Sequence, residues 1–389
     1  MKNLINKKIA IVGGGPGGLT LARLLQIKGA NVKVYERDAN KDVRVQGATL
    51  DLHEDSGLEA LRQAGLMEAF KENYRPNADR IRIVDSSANI IFDEHSDDVQ
   101  QGEFGDIAFR PEIDRGPLRK MLLESLEPDT IVWDSHLTEL TQNNNLWQLS
   151  FKNGNVAIAD IVIAADGANS KLRPLITSIK PFFTGYTIVE GAVYNSEAAT
   201  PHMHKLLNGG KIFAFGNSRS LIVSSKGDGS LVFYTGCKTA EDWVQTNGID
   251  FSDKAQVIEW FKKEFVGWDN AWLELFYKAE PAFIPRPQYC MPLDQTWEAL
   301  PNLTMLGDAA HLMPPYAGEG VNMAMQDALE LSSALTSDEF ADVHAAIAHY
   351  ENQMRARASE VGKITLEQTE MLHSPNAIEH MQTIFNQPE

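Results

Sequence analysis

The sequence predicts an α/β protein of two interleaved domains. One is built from β–turn–α–β units, the other around an antiparallel sheet, and a long helix closes the chain. Three observations predict this. Short apolar strands alternate with helix-period segments in the N-terminal part, a β-rich block fills 182–236, and apolar residues recur at helical spacing over 339–372. At 389 residues the chain exceeds one ordinary domain, and its 43% hydrophobic content suits real cores. The expected division assigns 1–75, 105–178 and 284–338 to the first domain. It assigns 76–104 and 179–283 to the second, and 339–385 to a bridging C-terminal helix.

Taken in order, KIAIV (8–12) reads as a buried strand. Leu19, Ala22 and Leu25 then repeat at helical spacing, and NVKVYER (31–37) is a second strand. Residues 56–70 hold an amphipathic helix. IRIV and IIF, within 81–92, are short strands around a DSSAN turn. Residues 110–126 begin with turn chemistry and continue as a helix with Leu118, Met121, Leu122 and Leu126 on one side. TIVWDSHLTEL and NLWQLSFKNGNVAIADIVIAAD are strands, the second stretch broken by an Asn-Gly turn. TGYTIVEGAVYN, KIFAFGN, SLIVSS and SLVFYTG form the antiparallel block, the last two joined by KGDG. Helical patterns near 253–277 carry Trp260, Trp268 and Trp272. The proline-punctuated IPRPQYCMP (284–292) is expected to return the chain to the first domain. In the tail, Met354, Ala358, Val361, Ile364 and Met371 read as a packing stripe.

Charge narrows the function classes. Lys and Arg number 35 against 53 Asp and Glu, so the net charge is 35 − 53 = −18. With no Lys/Arg run, nucleic-acid binding is disfavoured. Cys237 and Cys290 form no CxxC, which fits a reducing, cytoplasmic setting and disfavours thiol–disulfide chemistry. The apolar run Ile9 to Val12 breaks at once into GGGPGG, too short for a signal segment, and no run is long enough to span a bilayer. A monomer with no membrane partner is the expectation.

Three motifs carry the chemistry. GGGPGG (13–18) satisfies GxGxxG through Gly13, Gly15 and Gly18, with Pro16 and Gly17 at the helix start. Gly13 permits the tight turn, Gly15 lets the backbone approach a pyrophosphate, and Gly18 permits close helix–strand packing. Glu36, 18 residues past Gly18, would accept hydrogen bonds from a ribose diol. This Rossmann-like arrangement suits FAD or NAD more than a 2′-phosphorylated ribose. The second motif is DIVIAADGANSKLR (160–173), a buried strand ending at Asp166-Gly167. Its plain alternative is a strand-to-helix turn capped by Asn169 or Ser170.

The third motif is GDAAHLMPPYAGEGVNMAMQDALEL (307–331). It reads as a strand ending at Gly307-Asp308, a loop with Pro314 and Pro315, and a helix beginning near Val321. Backbone amides at a helix start form an anion site. Two such sites, far apart in sequence, suit a long ligand with more than one electron-rich end. Asp308 can accept from a ribityl hydroxyl. The Gly318–Gly320 turn and the Val321-Asn322 helix start can offer amides to a flavin's pyrimidine edge, which becomes anionic on reduction. An ordinary capped helix would leave Gly307-Asp308, both prolines and both loop glycines unexplained together.

GxGxxG near residue 13, ADGANSxxR at 165–173 and GDAAHxxPPxxGxGxNxAxxDA at 307–328 resemble the three fingerprints of the class A FAD monooxygenases, the aromatic hydroxylases similar to p-hydroxybenzoate hydroxylase. YERD (35–38), GATLDLHEDSGLEAL (47–61), RPEIDRGPLR (110–119) and GDAAHLMPPYAGEGVN (307–322) look like the tetracycline-inactivating flavin monooxygenases. The resemblance implies a cycle. NADPH reduces FAD, O2 adds to form a C4a-hydroperoxide, and its terminal oxygen passes to an electron-rich phenol or enol carbon. The flavin carries the chemistry, so no catalytic triad or metal is expected. The resemblance further implies that Arg44 meets NADPH and that Asp51, Arg115 and Asp308 contact FAD. Arg37 with Arg44 could meet the NADPH phosphates; a solvated Arg pair is the plain alternative. His311 reads as structural as readily as catalytic. His53, Glu54 and Asp55 read as an exposed helix start rather than a metal cluster.

The likeness thins over 182–280. There it places a substrate-contacting Gln on Glu190, an Arg on Lys211 and a His on Val232. Arg to Lys loses a planar fork, and Gln to Glu loses donors and adds charge. Tyr186, Phe213, Phe215 and Phe233 are aromatic candidates for a substrate cavity, although alternation along strands makes some of them core. The implied function is hydroxylation of a polycyclic phenol or enol, tetracyclines foremost. The alternatives are a hydroxylase of another aromatic compound, a non-hydroxylating flavin reductase or dehydrogenase, and a sequestering protein without turnover.

Overall fold

The computed structural model describes residues 2–43, 47–95, 102–280 and 282–385. Arg44 lies outside them. Strand β1 (Lys8–Val12) is buried at four of five positions because it is the middle of a parallel sheet. The order is β17-β11-β1-β2-β7, with β2 (Asn31–Tyr35), β7 (Ile131–Val132), β11 (Ile161–Ala164) and β17 (Leu303–Met305). The outermost pairing, β11 with β17, unites segments 139 residues apart in sequence (Val162 with Leu303 through Ala164 with Met305), so the third motif is brought beside the first two. Helix α1 (Pro16–Ile27) packs on α4 (Arg115–Glu124) and α12 (Gly320–Thr336). A small pair, β3 (Leu50–Asp51) with β6 (Glu112–Ile113), and a meander of β8 (Leu137–Asn143), β9 (Leu146–Phe151) and β10 (Val156–Ala159) complete this part. The expected helix over 56–70 is two helices, α2 (Gly57–Gln63) and α3 (Met67–Asn73). Gly65, at φ +70°, breaks them.

The β-rich block joins β4 (Ile81–Asp85) and β5 (Ile90–Asp93) in a seven-stranded sheet of order β16-β12-β15-β14-β13-β4-β5. Here β12 is Phe182–Val193, β13 Lys211–Gly216, β14 Arg219–Ser225, β15 Leu231–Lys238 and β16 Ile284–Cys290. All neighbours are antiparallel except β13 with β4. The proline-punctuated stretch is therefore a strand of this sheet, and the chain leaves it only after Cys290. Pro285 and Pro287 are tolerated because β16 is an edge.

The sheet's two faces differ. Val84, Val189, Ile212, Ala214, Leu221, Val223 and Phe233 pack with Trp260, Trp268 and Trp272 in one core. The helices on this side are α6 (Ser196–Ala199), α7 (Pro201–Leu207), α8 (Trp243–Thr246), α9 (Lys254–Glu264) and α10 (Leu273–Lys278). Ile83, Phe213 and Phe215 pack on the opposite side with Leu372, Ala377 and Met381. These last three belong to the chain's closing helices, α13 (Val343–Leu372) and α14 (Ala377–Phe385). The tail is thus one 30-residue helix followed by a short one. Its buried stripe includes Met354 and Ala358 as expected, then runs through Gly362, Thr365 and Thr369; Ile364 is 48% exposed. The remaining helices, α5 (Arg173–Ile176) and α11 (Asp308–His311), each follow one motif strand. Among the described residues no helix is long and apolar enough to cross a membrane.

Candidate functional site

The β1–α1 turn has three glycines with distinct demands. Gly13 sits at φ +112°, and a Cβ there would lie 2.2 Å from the Ala165 carbonyl oxygen. A Cβ on Gly18 would lie 2.2 Å from the Gly13 carbonyl oxygen. Gly15, the residue before Pro16 at the start of α1, has no atom within 4 Å of its Cβ position, and no side chain caps the helix. Two glycines are thus required by protein packing, while the third faces open space beside uncapped helix amides. Glu36 is buried next to this turn. One of its oxygens accepts from the Gly14 amide at 2.6 Å and the other from the Asp38 amide at 3.0 Å.

The second motif positions the third. Asp166 accepts from the Lys171 amide at 2.8 Å through Oδ2, while its Oδ1 is buried without a partner. Ser170 Oγ accepts from the Leu172 and Arg173 amides at 3.2 and 3.0 Å just before α5, although the N-cap position itself is Leu172 rather than Asn169 or Ser170. Arg173 is buried, and its guanidinium donates to the carbonyls of Ala309 (2.6 Å), Asp308 (2.8 Å) and Ala168 (3.0 Å). The ADGANSxxR segment therefore clamps the start of α11. The Asp308 residue is exposed, yet protein groups including His311, Arg115 and Arg173 surround its carboxyl. This enclosure raises its carboxyl above the ordinary value, against the opposing charges of His311, Arg115 and Arg173.

His311 faces Asp327, not Asp308. Its Nε2 is 2.6 Å from Asp327 Oδ2, and both side chains are almost fully buried. Asp327 also accepts from the Gly307 amide at 2.8 Å and from Arg357 at 2.7 Å. This locks α11, α12 and α13 together and gives His311 a structural role.

The helix of the third motif begins at Gly320, again with no atom within 4 Å of a Cβ position and no side-chain cap. Val321 is the next residue of that first turn, and Pro315 opens the one-turn 3-10 helix before it. Asn322 is fully buried: its Oδ1 accepts from the His53 amide at 3.0 Å, and its Nδ2 donates to the Asp51 carbonyl at 3.0 Å. A Cβ on Gly318, at φ +73°, would lie 3.1 Å from Asp51 Oδ2. Asp51 thus braces the loop. His53 is buried, not exposed as expected, with Nε2 3.1 Å from Asp51 Oδ2 and Nδ1 3.5 Å from Glu319 Oε2. Burial would raise the Asp51 carboxyl, but the His53 hydrogen bond and the Lys211 charge more than reverse this and lower it to about 2.

Arg115 stands at the start of α4 and donates from Nε to the Ala48 carbonyl at 3.1 Å. Enclosure lowers its guanidinium below the ordinary value, while Tyr234, Asp308 and Glu190 support its charge and Arg286 opposes it. Arg115 thus interacts both with Asp308 of the third motif and with Glu190, Tyr234 and Arg286 of the seven-stranded sheet. Register puts Phe213, Ile222, Tyr234 and Glu190 in one row across the inner face of that sheet. Phe213 is only partly buried there.

Two substrate candidates are corrected by the same register. Phe233 neighbours Tyr234 and so points to the opposite face, where it is fully buried against Phe276, Phe283 and Gly191. Lys211 is on the inner face, but its ammonium is paired with Glu112 beside Asp51. Arg37 is exposed. Tyr186 and Phe215 are buried; the Tyr186 hydroxyl donates to Glu370 at 3.1 Å. Sequence reasoning missed Tyr234, Arg286 and Tyr316. Alternation from Glu190 through its antiparallel partners could have found the first two. Tyr316, inside the third motif, has its hydroxyl 3.3 Å from His373 Nε2. His373 donates from Nδ1 to the Thr369 carbonyl at 2.7 Å, so Nε2 is the acceptor, and burial lowers its pKa to about 4. A hollow of about 380 Å³ among His202, Asn270, Glu274 and Tyr277 lies on the outer helices and includes no motif residue. Among the described residues no His, Cys, Asp and Glu group could hold a metal.

Two uncapped helix starts with open glycines, an orphaned buried carboxylate oxygen and the exposed acid Asp308 fit an elongated dinucleotide. They suit a phosphate at Gly15 and an electron-poor ring system at Gly320. Such a fold and site define a dinucleotide-dependent redox enzyme. The FAD binding domain family matches residues 6–215 and 301–364, leaving out most of the seven-stranded sheet's later strands and outer helices. The monooxygenase asqM of Emericella nidulans is 28% identical over 379 residues, covering 84% of this chain and 83% of its own. An FAD-containing monooxygenase structure from Photorhabdus luminescens superposes with a TM-score of 0.77 at 25% identity, over 96% of this chain and 99% of that one. The tetracycline destructase Tet(55) shares the fold, with a TM-score of 0.76 at 20% identity over 97% and 95% of the two chains. The chain belongs to the FAD-binding-domain family of class A flavin monooxygenases and is an FAD-dependent monooxygenase.

Proposed function

We propose that this monooxygenase uses NADPH and O2 to hydroxylate a polycyclic phenol or enol, with tetracycline antibiotics the foremost substrates. One observation carries the reading: Arg115 acts both on Asp308 of the third motif and on Glu190 and Tyr234, which share a polar and aromatic row of the sheet face with Phe213. A planar, oxygen-rich substrate placed there lies against the ring end of the dinucleotide. The motifs shared with the tetracycline-inactivating enzymes support the choice, as does the common fold with Tet(55).

The roles follow from the geometry. The amides of Gly15, Gly17 and Gly18 at the α1 start would hold the pyrophosphate, with the turn made by Gly13, whose own amide is given to the Tyr35 carbonyl at 2.9 Å. Glu36 accepts from the adenosine ribose. Asp166 offers its free Oδ1, and Asp308, clamped by Arg173, accepts from the ribityl chain. The Gly318–Gly320 turn, Val321 and the Asn322 segment, braced by Asp51, present the α12 dipole to the pyrimidine edge, where negative charge is stabilised. Bound FAD supplies the redox and oxygen-transfer chemistry. The chain orients the substrate and excludes water, and His311 and Lys211 are committed to Asp327 and Glu112 rather than to proton transfer. Arg44, with exposed Arg37, meets NADPH. The enzyme is taken as a cytoplasmic monomer of FAD and substrate domains.

A second reading, hydroxylation of another aromatic compound, is favoured by one feature. Glu190, Lys211 and Val232 replace the Gln, Arg and His that the tetracycline enzymes' pattern would place there, and the Lys211 ammonium is already paired. NADPH consumption in air, with and without tetracycline, tests the two. Stimulation by tetracycline supports the first. A yellow protein with only slow, unstimulated oxidation rejects tetracycline and directs the search to other phenols and enols.

A further inference from the structure

Arg286 makes one bond that matters. Its Nε donates to Glu190 Oε2 at 2.6 Å, joining β16 to β12 across the inner sheet face. Among the described residues no other atom of the Arg286 guanidinium has a hydrogen-bond partner. The Arg286 side chain is 51% exposed, whereas Glu190 is 15% exposed. Glu190 therefore acts as a rigid post, and the Nη1 and Nη2 end of the fork is held outward. An arginine anchored through Nε presents two parallel N–H donors, the geometry that matches two oxygens sharing one negative charge. Arg115 lies near enough for the two guanidiniums to repel, and both cations act on Tyr234 of the same row. An anion placed between them relieves that repulsion.

We propose that Arg286, oriented by Glu190, is a specificity-determining residue that selects substrates bearing a delocalised two-oxygen anion, a carboxylate or a 1,3-dicarbonyl enolate. The inference rests on the reading that substrate lies against the inner sheet face. It goes beyond a polycyclic phenol by requiring the anion, and it assigns Glu190 to positioning rather than to direct donation.

Binding, not turnover, tests it. The FAD-loaded protein is titrated calorimetrically with 1-hydroxy-2-naphthoate, with the enolate of dimedone, and with neutral 1-naphthol. Wild type is expected to bind the naphthoate about tenfold or more tightly than 1-naphthol, the worth of a charge-assisted hydrogen-bond pair. Arg286→Gln removes the difference, Arg286→Lys restores only part of it, and Glu190→Gln weakens it by releasing the fork. Unchanged flavin content in each variant shows that the fold is kept. Binding of dimedone enolate as well as naphthoate admits both oxyanions; binding of naphthoate alone restricts the class to carboxylates. Equal affinity for naphthoate and 1-naphthol, a preference that survives Arg286→Gln, or no binding of either anion overturns the proposal. Failure of tetracycline as a substrate leaves these ratios untouched, so the two readings fail separately.

Discussion

Gly15→Ala separates the cofactor role of the first loop from its packing role. Gly15 has φ −79° and ψ 176°, a conformation alanine adopts freely, and a Cβ meets no atom within 4 Å. The protein without cofactor should therefore be unharmed, and reduced freedom of the unfolded chain should stabilise it by about 0.4–1 kcal/mol. The empty space is where the backbone must approach a pyrophosphate, so the methyl group should weaken FAD binding. FAD at about 100 times its dissociation constant stabilises wild type by about 2.7 kcal/mol, and a tenfold loss of affinity at the same FAD concentration leaves about 1.4 kcal/mol of that. Thermal melts with and without added FAD, beside flavin absorbance of the purified protein, read both effects. The expected pattern is an unchanged or slightly raised melt without FAD and a diminished FAD-induced shift. Gly18→Ala should instead fail in both conditions, because its Cβ would lie 2.2 Å from the Gly13 carbonyl oxygen. A Gly15→Ala protein that binds FAD like wild type would refute the assignment of this loop to the pyrophosphate.

Asp308→Ala should yield a colourless protein, since the side-chain carboxylate proposed to accept from the ribityl chain is lost while the backbone carbonyl that Arg173 binds is kept; a normally yellow variant contradicts the flavin placement. Phe233→Ala should cost about 3–5 kcal/mol in urea unfolding, as a fully buried ring is removed, while leaving ligand selectivity unchanged. Asp51 has a folded pKa of about 2 against an ordinary 3.8, so its stabilisation is present above 3.8 and is lost as pH falls toward 2. Asp51→Asn should flatten that acid-side loss in a series of denaturation midpoints.

The parts of the fold that were readable depend on local rules. The β–turn–α–β unit, the meander with its Asn-Gly turn and the antiparallel block all follow from periodicity and turn chemistry, and the structure contains each. The misread parts depend on what lies opposite. IPRPQYCMP looked like a linker because prolines break inner strands, but an edge accepts them. Ile364 is apolar yet exposed, because α13 passes from one layer to another and turns Gly362, Thr365 and Thr369 inward instead. His53 looked exposed because its polar neighbours did; Asp51 is a local partner, but Glu319 and the Asn322 that takes its amide are supplied by tertiary contact. Phe233 and Tyr234 are adjacent, and only strand register decides which shares a face with Glu190. Glycine spacing marked the cofactor loops because backbone geometry is local. The proposed substrate wall was illegible because it is assembled from five strands and Arg115 at the start of α4.

The most direct test of the central claim is the fate of oxygen. Purified enzyme, NADPH and tetracycline are incubated under isotopically labelled O2, and the product is analysed by mass spectrometry. The account predicts a product carrying one labelled oxygen atom, with NADPH consumed alongside it. Unlabelled oxygen in the product would contradict the claim, and so would NADPH oxidation that leaves tetracycline unchanged.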